Sequence, residues 1–185
     1  MRPAMGAVVS LFGFILSMAA GQQALDLGGS PKDPLKETPG KVVVLVFVRT
    51  DCPISNRYAP QLQEMSVKYG SEASFWMVFP DKNESPERIR SYLQEFNHKL
   101  PALRDTEHSL VKKSGAKVTP EVAVFNLRRD LVYHGRIDDL YREYGKARRA
   151  ATTHELADAI EAASKGVAPP SAAAEGVGCF ISDLK

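Results

Sequence analysis

Cys52 has the clearest chemistry of any residue in this sequence. It follows an apolar run, residues 42–48, after three intervening residues, and Pro53 comes directly after it. A proline suits the first turn of a helix, because the N–H that it lacks would have no partner there. Cys52 is therefore expected where a buried strand passes into a helix, and the positive end of the helix favours its thiolate. We predict that this thiol is the reactive group.

The sequence has one other cysteine, Cys179, close to its C-terminal end. Two cysteines are too few for a disulfide scaffold and lack the spacing of a metal finger. One interpretation makes Cys179 the thiol that resolves an oxidised Cys52, with Gly176 and Gly178 allowing the tail to come close. The alternative is an exposed tail cysteine, or one that pairs with another chain.

Composition indicates one globular domain. The chain has 185 residues, of which 25% are charged, and its formal net charge is +2. This length can bury a core of its own. The weak positive balance gives no reason to expect a nucleic-acid partner.

The first 21 residues have the pattern of a secretory signal. Arg2 provides a charge, residues 8–20 are mostly apolar, and small residues lead to Gly21. We predict a signal peptide over residues 1–21 and export to the periplasm or the outside of the cell, where disulfides persist. The alternative is an uncleaved segment that anchors the protein to a membrane.

Local patterns divide the rest of the chain into three parts. We predict a linker and N-terminal loop over residues 22–40, a domain over residues 41–166, and a flexible tail over residues 167–185 that carries Cys179. Within the domain the predicted order is β-α-β-α-α-β-β-α. Such an order predicts an α/β fold with a mixed central sheet flanked by helices, whose last two strands, residues 121–125 and 131–137, form a hairpin.

Three helix starts carry recognisable signals. Ser85 precedes Pro86 and is predicted to cap a helix. Thr106 is predicted to cap a short helix that ends near Gly115. Thr152 with Glu155, three residues on, has the spacing of a capping box for the last helix.

Four ordered segments resemble the thioredoxin superfamily. They are Thr50-Asp51-Cys52-Pro53, Thr119-Pro120, residues 131–139 and residues 177–181. More narrowly, the chain resembles the redoxin branch, the alkyl hydroperoxide reductase and thiol-specific antioxidant-like proteins with their atypical peroxiredoxin-like members. The resemblance covers roughly residues 40–182. It implies a thioredoxin-like fold and an antioxidant oxidoreductase that uses Cys52 to reduce peroxides or exchange protein disulfides, with an unidentified thiol as electron donor.

The resemblance also assigns roles around the cysteine. The proline that matches Pro120 has a cis peptide bond in the superfamily and lies against the cysteine. This arrangement leaves the backbone of Thr119 free to pair with an extended substrate. Thr50 and Ser55 are either hydrogen-bond donors to the thiolate or to a bound oxidant, or plain turn and helix-surface residues.

The sequence departs from the family patterns at five positions near Cys52. Ser55 stands where a Cys-x-x-Cys motif has its second cysteine. Leu45 and Arg49 replace the proline and threonine of ordinary peroxiredoxins, and Val46 replaces the buried acid of thioredoxins. Asp51 replaces a residue that is often aromatic, and a carboxylate beside the thiol would raise its pKa. A partner thiol must therefore come from elsewhere, and Cys179 is the one candidate within the chain.

A binding module is the rival function, either a copper carrier or a thioredoxin-fold scaffold in an envelope complex. Copper delivery in thioredoxin-like relatives uses a Cys-x-x-x-Cys motif and a distant histidine, and the second cysteine is missing here. The four histidines, at positions 98, 108, 134 and 154, are scattered. We therefore expect no metal and no cofactor.

Overall fold

A computed structural model describes residues 23–182 and residue 184. The predicted signal peptide lies outside the described residues. The strands are β1 (Leu25–Asp26), β2 (Val42–Phe47), β3 (Ala73–Phe79), β4 (Ala102–Arg104), β5 (Val118–Thr119), β6 (Glu121–Phe125), β7 (Leu131–Gly135), β8 (Tyr141–Glu143), β9 (Lys146–Ala147), β10 (Ala173–Ala174) and β11 (Cys179–Phe180). The helices are α1 (Pro34–Glu37), α2 (Pro53–Lys68), α3 (Pro86–Glu95), α4 (Ser109–Ser114) and α5 (Glu155–Ser164).

A seven-stranded sheet in the order β1-β4-β3-β2-β6-β7-β10 forms the centre of the molecule. Strands β2, β3 and β4 are parallel, whereas β6 is antiparallel to β2 and β7 is antiparallel to β6. Helices α2 and α3 supply the long crossovers that parallel neighbours need. The predicted mixed α/β sheet is confirmed, and so is the hairpin formed by its two consecutive strands, β6 and β7.

Strand β2 lies inside the protein with both faces covered, and all six of its residues are buried. Val42, Val44 and Val46 pack into the apolar cluster that contains the buried residues of α2, α3 and α5. The residues between them point to the other face, where α1 and α4 contribute. An unbroken β-branched run is what such a doubly covered strand requires. The C-terminal end of β2 is therefore fixed in the core, five residues before Cys52.

Helix α2 is positioned by an apolar stripe. Ile54, Tyr58 and Leu62 recur at steps of four and are buried against the sheet. Cys52 is the residue that precedes the first helical turn, and Pro53 occupies its first position. The stripe fixes the rotation of the helix, and with it the direction in which the Cys52 side chain points.

The folded unit extends beyond both predicted domain bounds. In the predicted linker, β1 pairs with β4, and Ala24 and Leu35 are buried. In the predicted flexible tail, β10 pairs with β7, β11 pairs with β5, and Ile181 is buried. These two-residue strands complete exposed sheet edges. They are too short to show a sequence period, which is why their pattern indicated a linker and a tail.

Of the three predicted helix caps, one is confirmed and two are wrong. Ser85 accepts from the Arg88 N–H, as predicted. The prediction for Thr106 is wrong, because α4 begins at Ser109 and its first N–H groups donate to the side chain of Asp105. The capping box at Thr152 is also wrong: α5 begins at Glu155. The Thr152 hydroxyl instead donates to Asp139 at 2.6 Å, since the preceding loop is tied to that carboxylate.

Asp105 is a buried carboxylate whose loss should be costly. It accepts hydrogen bonds from the backbone N–H groups of Ser109, Leu110 and Val111, at 2.8–2.9 Å. We predict that Asp105→Ala lowers the free energy of unfolding by roughly 2–4 kcal/mol, because it removes a charged cap and leaves buried donors unpaired. Chemical denaturation measures this change. An effect within about 0.5 kcal/mol, the range of ordinary surface substitutions, would contradict the prediction.

Polar side chains fix the segment after the hairpin. Arg136 forms an ion pair with Glu155, and Asp138 accepts from Tyr58 and from Gln61. The long connection that follows contains the β8–β9 hairpin. These contacts tie the end of β7 to α2 and α5, on the side of the sheet where Cys52 lies. Within the described residues, no helix is both long and apolar enough to cross a membrane.

Candidate active site

Cys52 is fully buried at the start of α2. Its exposed fraction is 0%. Its thiol donates to the carbonyl oxygen of Thr119 at 3.0 Å, which connects α2 to the segment before β6. The peptide bond between Thr119 and Pro120 is cis, as predicted. The strand-to-helix turn and the proline segment therefore meet at one sulfur atom.

Strand β11 brings Cys179 to the same point. It runs antiparallel to β5, with Cys179 opposite Thr119 and Phe180 opposite Val118. The Sγ atoms of Cys52 and Cys179 are 2.9 Å apart, and both cysteines are free thiols. The Thr119 hydroxyl also donates to the Cys179 carbonyl at 3.3 Å. The edge that the family resemblance leaves open for an extended substrate is thus paired with the chain's own tail.

Gly178 permits this close approach. A Cβ atom at this position would lie 2.0 Å from the carbonyl oxygen of Thr119, a distance that atoms do not tolerate. Further along, Ile181 is buried and its N–H donates to the carbonyl of Lys117 at 3.0 Å. Pairing of β10 with β7 fixes the tail on the other side. Cys179 is therefore held in place from both directions.

The surroundings shift the pKa values of the two thiols in opposite directions. Burial raises the pKa of Cys52, but the hydrogen bond from the Cys179 thiol and the nearby N–H and hydroxyl of Ser55 outweigh it, so the pKa is lowered overall. Burial, together with the hydrogen bond and charge of Cys52, raises the pKa of Cys179 to about 12. Cys52 is therefore the more acidic thiol of the pair, and the Cys179 thiol donates to its sulfur.

Ser55 lies on the first turn of α2 and is fully buried. Its hydroxyl oxygen makes no hydrogen bond with the described residues. A buried hydroxyl without a partner is unfavourable, and a thiolate 3 residues earlier in the chain would provide one. The role of Ser55 as a donor to the sulfur stays a prediction.

The Cys179 hydrogen bond can be tested by comparing two substitutions. We predict that Cys179→Ala raises the pKa of Cys52, because the variant removes the donor that stabilises the thiolate. Cys179→Ser keeps an O–H donor and should leave a lower Cys52 pKa than the alanine variant. Thiolate absorbance near 240 nm, followed against pH, measures both. Equal pKa values in the two variants would show that the hydrogen bond has no such effect.

The side chains of Thr50 and Asp51 each bond to an arginine. The Thr50 hydroxyl accepts from Arg88 at 2.8 Å. Asp51 forms an ion pair with Arg49 at 3.0 Å, and the same guanidinium lies 3.4 Å from Asp81. The structure therefore groups Ser55, Thr119 and Pro120 with the two cysteines but turns the Thr50 side chain elsewhere. The Asp51 charge is neutralised in part by Arg49.

Glu84 is a buried carboxylate that sequence reasoning missed. It lies in the loop between β3 and α3, is 4% exposed, and accepts from the Thr50 N–H at 2.6 Å. Its other carboxylate oxygen is buried without a partner among the described residues. Burial raises the pKa of Glu84. The sequence showed only a polar loop there, although an acid directly before a helix cap is a signal that could have been followed.

Metal binding has no geometric support in the part of the chain that the structure describes. No group of three or more His, Cys, Asp and Glu side chains among residues 23–182 is arranged to hold a metal ion. His98 is buried beside Tyr92, with their ring centroids 6.0 Å apart. Burial lowers its pKa.

Comparison with known families gives one match. The model of the redoxin family matches residues 18–150, which is more than two thirds of the chain. No curated protein matches the sequence.

Several solved structures share the fold. A hypothetical protein from Sinorhizobium meliloti is 24% identical, with a TM-score of 0.73 and coverage of 85% of this chain and 88% of that one. An uncharacterized protein from Geobacillus kaustophilus is 20% identical, with a TM-score of 0.72 and coverage of 86% of both chains. A secreted disulfide oxidoreductase from Mycobacterium tuberculosis is 17% identical, with a TM-score of 0.53 and coverage of 78% and 94%. At these identities the likeness establishes the thioredoxin-like fold.

Proposed function

The chain belongs to the redoxin family, and from that premise we propose that it is an exported thiol-dependent oxidoreductase that cycles Cys52 and Cys179 between two thiols and one disulfide. The observation that carries the proposal is the 2.9 Å separation of the two sulfur atoms. Export rests on the signal-like sequence of residues 1–21. Membership of the redoxin family supports a thiol-based redox fold. The particular reaction is inferred from the geometry of the two cysteines.

Oxidation by a peroxide would proceed in two steps. The Cys52 thiolate attacks one peroxide oxygen, the O–O bond breaks, and the leaving oxygen takes a proton to become water or an alcohol. The Cys52 sulfenic acid is then attacked by the Cys179 sulfur. An S–S bond forms and the sulfenic oxygen leaves as water, with the proton of Cys179. The peroxide gains two electrons and the pair of cysteines loses two.

Exchange with a disulfide gives the same product. The Cys52 thiolate attacks one sulfur of the substrate and releases the other as a thiolate. Cys179 then displaces the first substrate sulfur, which leaves as a thiol. Both routes require the nucleophile to be the thiol with the lowered pKa, and this is Cys52. Both also leave a Cys52–Cys179 disulfide that an external thiol donor must reduce.

Turnover assays test the proposal and separate the two substrate classes. The protein without residues 1–21, supplied with dithiothreitol, should consume hydrogen peroxide or a model disulfide such as oxidised glutathione at a rate above that of dithiothreitol alone. Consumption of the peroxide identifies a peroxidase, and consumption of the disulfide identifies exchange. Failure with both, together with tight copper binding, would contradict the enzyme and favour the carrier.

A further inference from the structure

Strand β11 covers the sulfur that must react first in the proposed function. Cys52 is 0% exposed, and its Sγ atom lies 3.0 Å from the Thr119 carbonyl oxygen and 2.9 Å from the Cys179 sulfur. Thr119 and Cys179 are themselves opposite each other in the pair of strands β5 and β11. A substrate therefore reaches Cys52 only if it is small enough to pass beside this pair of strands, or if it displaces β11.

The tail holds β11 at several points besides the strand pairing. After the strand, the Ile181 side chain is buried and its N–H donates to the Lys117 carbonyl at 3.0 Å. Before it, β10 pairs with β7. At Gly178 the two backbones touch, because a Cβ there would lie 2.0 Å from the Thr119 carbonyl oxygen. A second polypeptide cannot enter between the two strands while these contacts hold.

Cys179 is the thiol that a large substrate meets first, but its acidity makes it a poor nucleophile. It is partly exposed on β11. Burial, together with the hydrogen bond to Cys52, raises the pKa of Cys179 to about 12. Since the thiolate is the nucleophile in exchange, little of Cys179 is reactive at neutral pH. The more acidic thiol, Cys52, is the one that β11 covers.

We propose that strand β11 selects the oxidising substrate by size, so that Cys52 reacts with hydrogen peroxide and with disulfides of low molecular weight but not with disulfides in polypeptides. The assignment of this substrate class rests on the proposed function, because it concerns the oxidant of Cys52. An extended polypeptide could bind by adding a strand to the edge of β5. That edge is already paired with the tail, and Gly178 is the residue that permits the pairing.

Two disulfides with the same leaving group test the size limit. One is 2-hydroxyethyl 2-pyridyl disulfide, and the other is a short extended peptide whose central cysteine carries the same 2-thiopyridyl group. The Cys179→Ser protein is used, so that Cys52 is its one thiol. The Cys52 thiolate attacks the sulfur of the hydroxyethyl group or of the peptide, an S–S bond forms, and 2-thiopyridone leaves and is measured by its absorbance. Each rate is divided by that of free 2-mercaptoethanol with the same reagent, which corrects for intrinsic reactivity.

We expect the corrected rate to be about 100-fold or more higher for the small disulfide, because the peptide must wait for local opening of β11. Adding Gly178→Val to the Cys179→Ser protein should lower this ratio at least tenfold, since β11 is displaced. Gly28→Ala in the same background is the matched control and should keep the ratio, because its Cβ would meet only a side-chain oxygen of Asp26. In denaturing urea the ratio should fall to near unity.

A ratio near unity in the folded Cys179→Ser protein would overturn the proposal. So would a high ratio that persists in urea, or one that Gly178→Val leaves unchanged in a folded protein, since β11 would then not be its cause. A Cys52 that reacts with neither reagent, nor with hydrogen peroxide, would contradict the proposed function itself.

Discussion

Replacing Cys52 by serine is expected to reduce turnover at least 1,000-fold, with hydrogen peroxide and with a disulfide substrate alike. A serine hydroxyl stays protonated at neutral pH and has no sulfur atom to be oxidised, so both routes lose their first step. Removal of the nucleophile in other enzymes costs factors of this size or larger. The measurement is the rate of substrate loss in the presence of dithiothreitol, corrected for the rate without protein.

Cys179→Ser is the informative companion to that variant. It keeps Cys52 and should still react once with the oxidant, but it has no second thiol in the chain to close the cycle. A single stoichiometric reaction followed by slow turnover is the expected result. If Cys52→Ser retained activity within tenfold of the unaltered protein, Cys52 would not be the nucleophile.

Gly178→Val should have the second largest effect. The Cβ of any side chain at this position would lie 2.0 Å from the Thr119 carbonyl oxygen. Rotation of a side chain cannot relieve this contact, because the oxygen belongs to the backbone and the Cβ is bonded directly to it. Strand β11 must then move away from β5, and Cys179 moves with it. We expect oxidation to the Cys52–Cys179 disulfide to slow about 100-fold, because holding two reactants in contact can be worth far more than this.

The Gly178→Val variant can also be tested independently, through the exposure of Cys52. With β11 displaced, the Cys52 thiol should react with iodoacetamide at least tenfold faster than in the unaltered protein, in which it is fully buried. Gly28→Ala is the matched control, because its Cβ would meet only a side-chain oxygen of Asp26, at 3.2 Å, far from the two cysteines in sequence. Circular dichroism reports whether the central sheet is retained. Unchanged disulfide formation in a folded Gly178→Val protein would mean that β11 pairing does not position Cys179.

The sequence predicted those features that depend on long or chemically distinctive segments. The β-branched run of β2, the apolar stripe of α2 and the Ser85-Pro86 helix start were each readable, since several residues contribute to one signal. The cis bond before Pro120 followed from the family resemblance. Cys52 at the strand-to-helix turn required only that β2 and α2 be placed correctly.

The features that sequence reasoning missed depend on tertiary contacts. Each of the strands β10 and β11 has two residues, too few for a period, and they form because β7 and β5 offer unpaired edges. Thr152 has the spacing of a helix cap, but its hydroxyl donates to the buried carboxylate of Asp139 instead. Glu84 is buried among residues distant in sequence: Thr50 donates to its carboxylate at 2.6 Å and Arg104 donates to its carbonyl at 3.1 Å. Nothing local to the two-residue strands or to Thr152 distinguishes them from solvent-exposed neighbours.

The tail shows the same limit at the site itself. The resemblance implied an open edge beside Thr119, and a flexible tail was expected to carry Cys179 to Cys52. The structure instead pairs Cys179 with Thr119 before any oxidation. The signal was present in Gly178, but its meaning depends on the Thr119 carbonyl, 59 residues earlier in the chain. A glycine in a tail is equally compatible with flexibility and with close contact.

Oxidation followed by peptide mapping tests the central claim most directly. One equivalent of hydrogen peroxide, or of oxidised glutathione in a parallel sample, is added to the reduced protein, and free thiols are then blocked with N-ethylmaleimide. We expect a monomer that has lost two hydrogen atoms and yields a single peptide pair linked through Cys52 and Cys179. A Cys52 that remains as a blocked thiol, a stable sulfenic acid, or a link found only between two chains would contradict it.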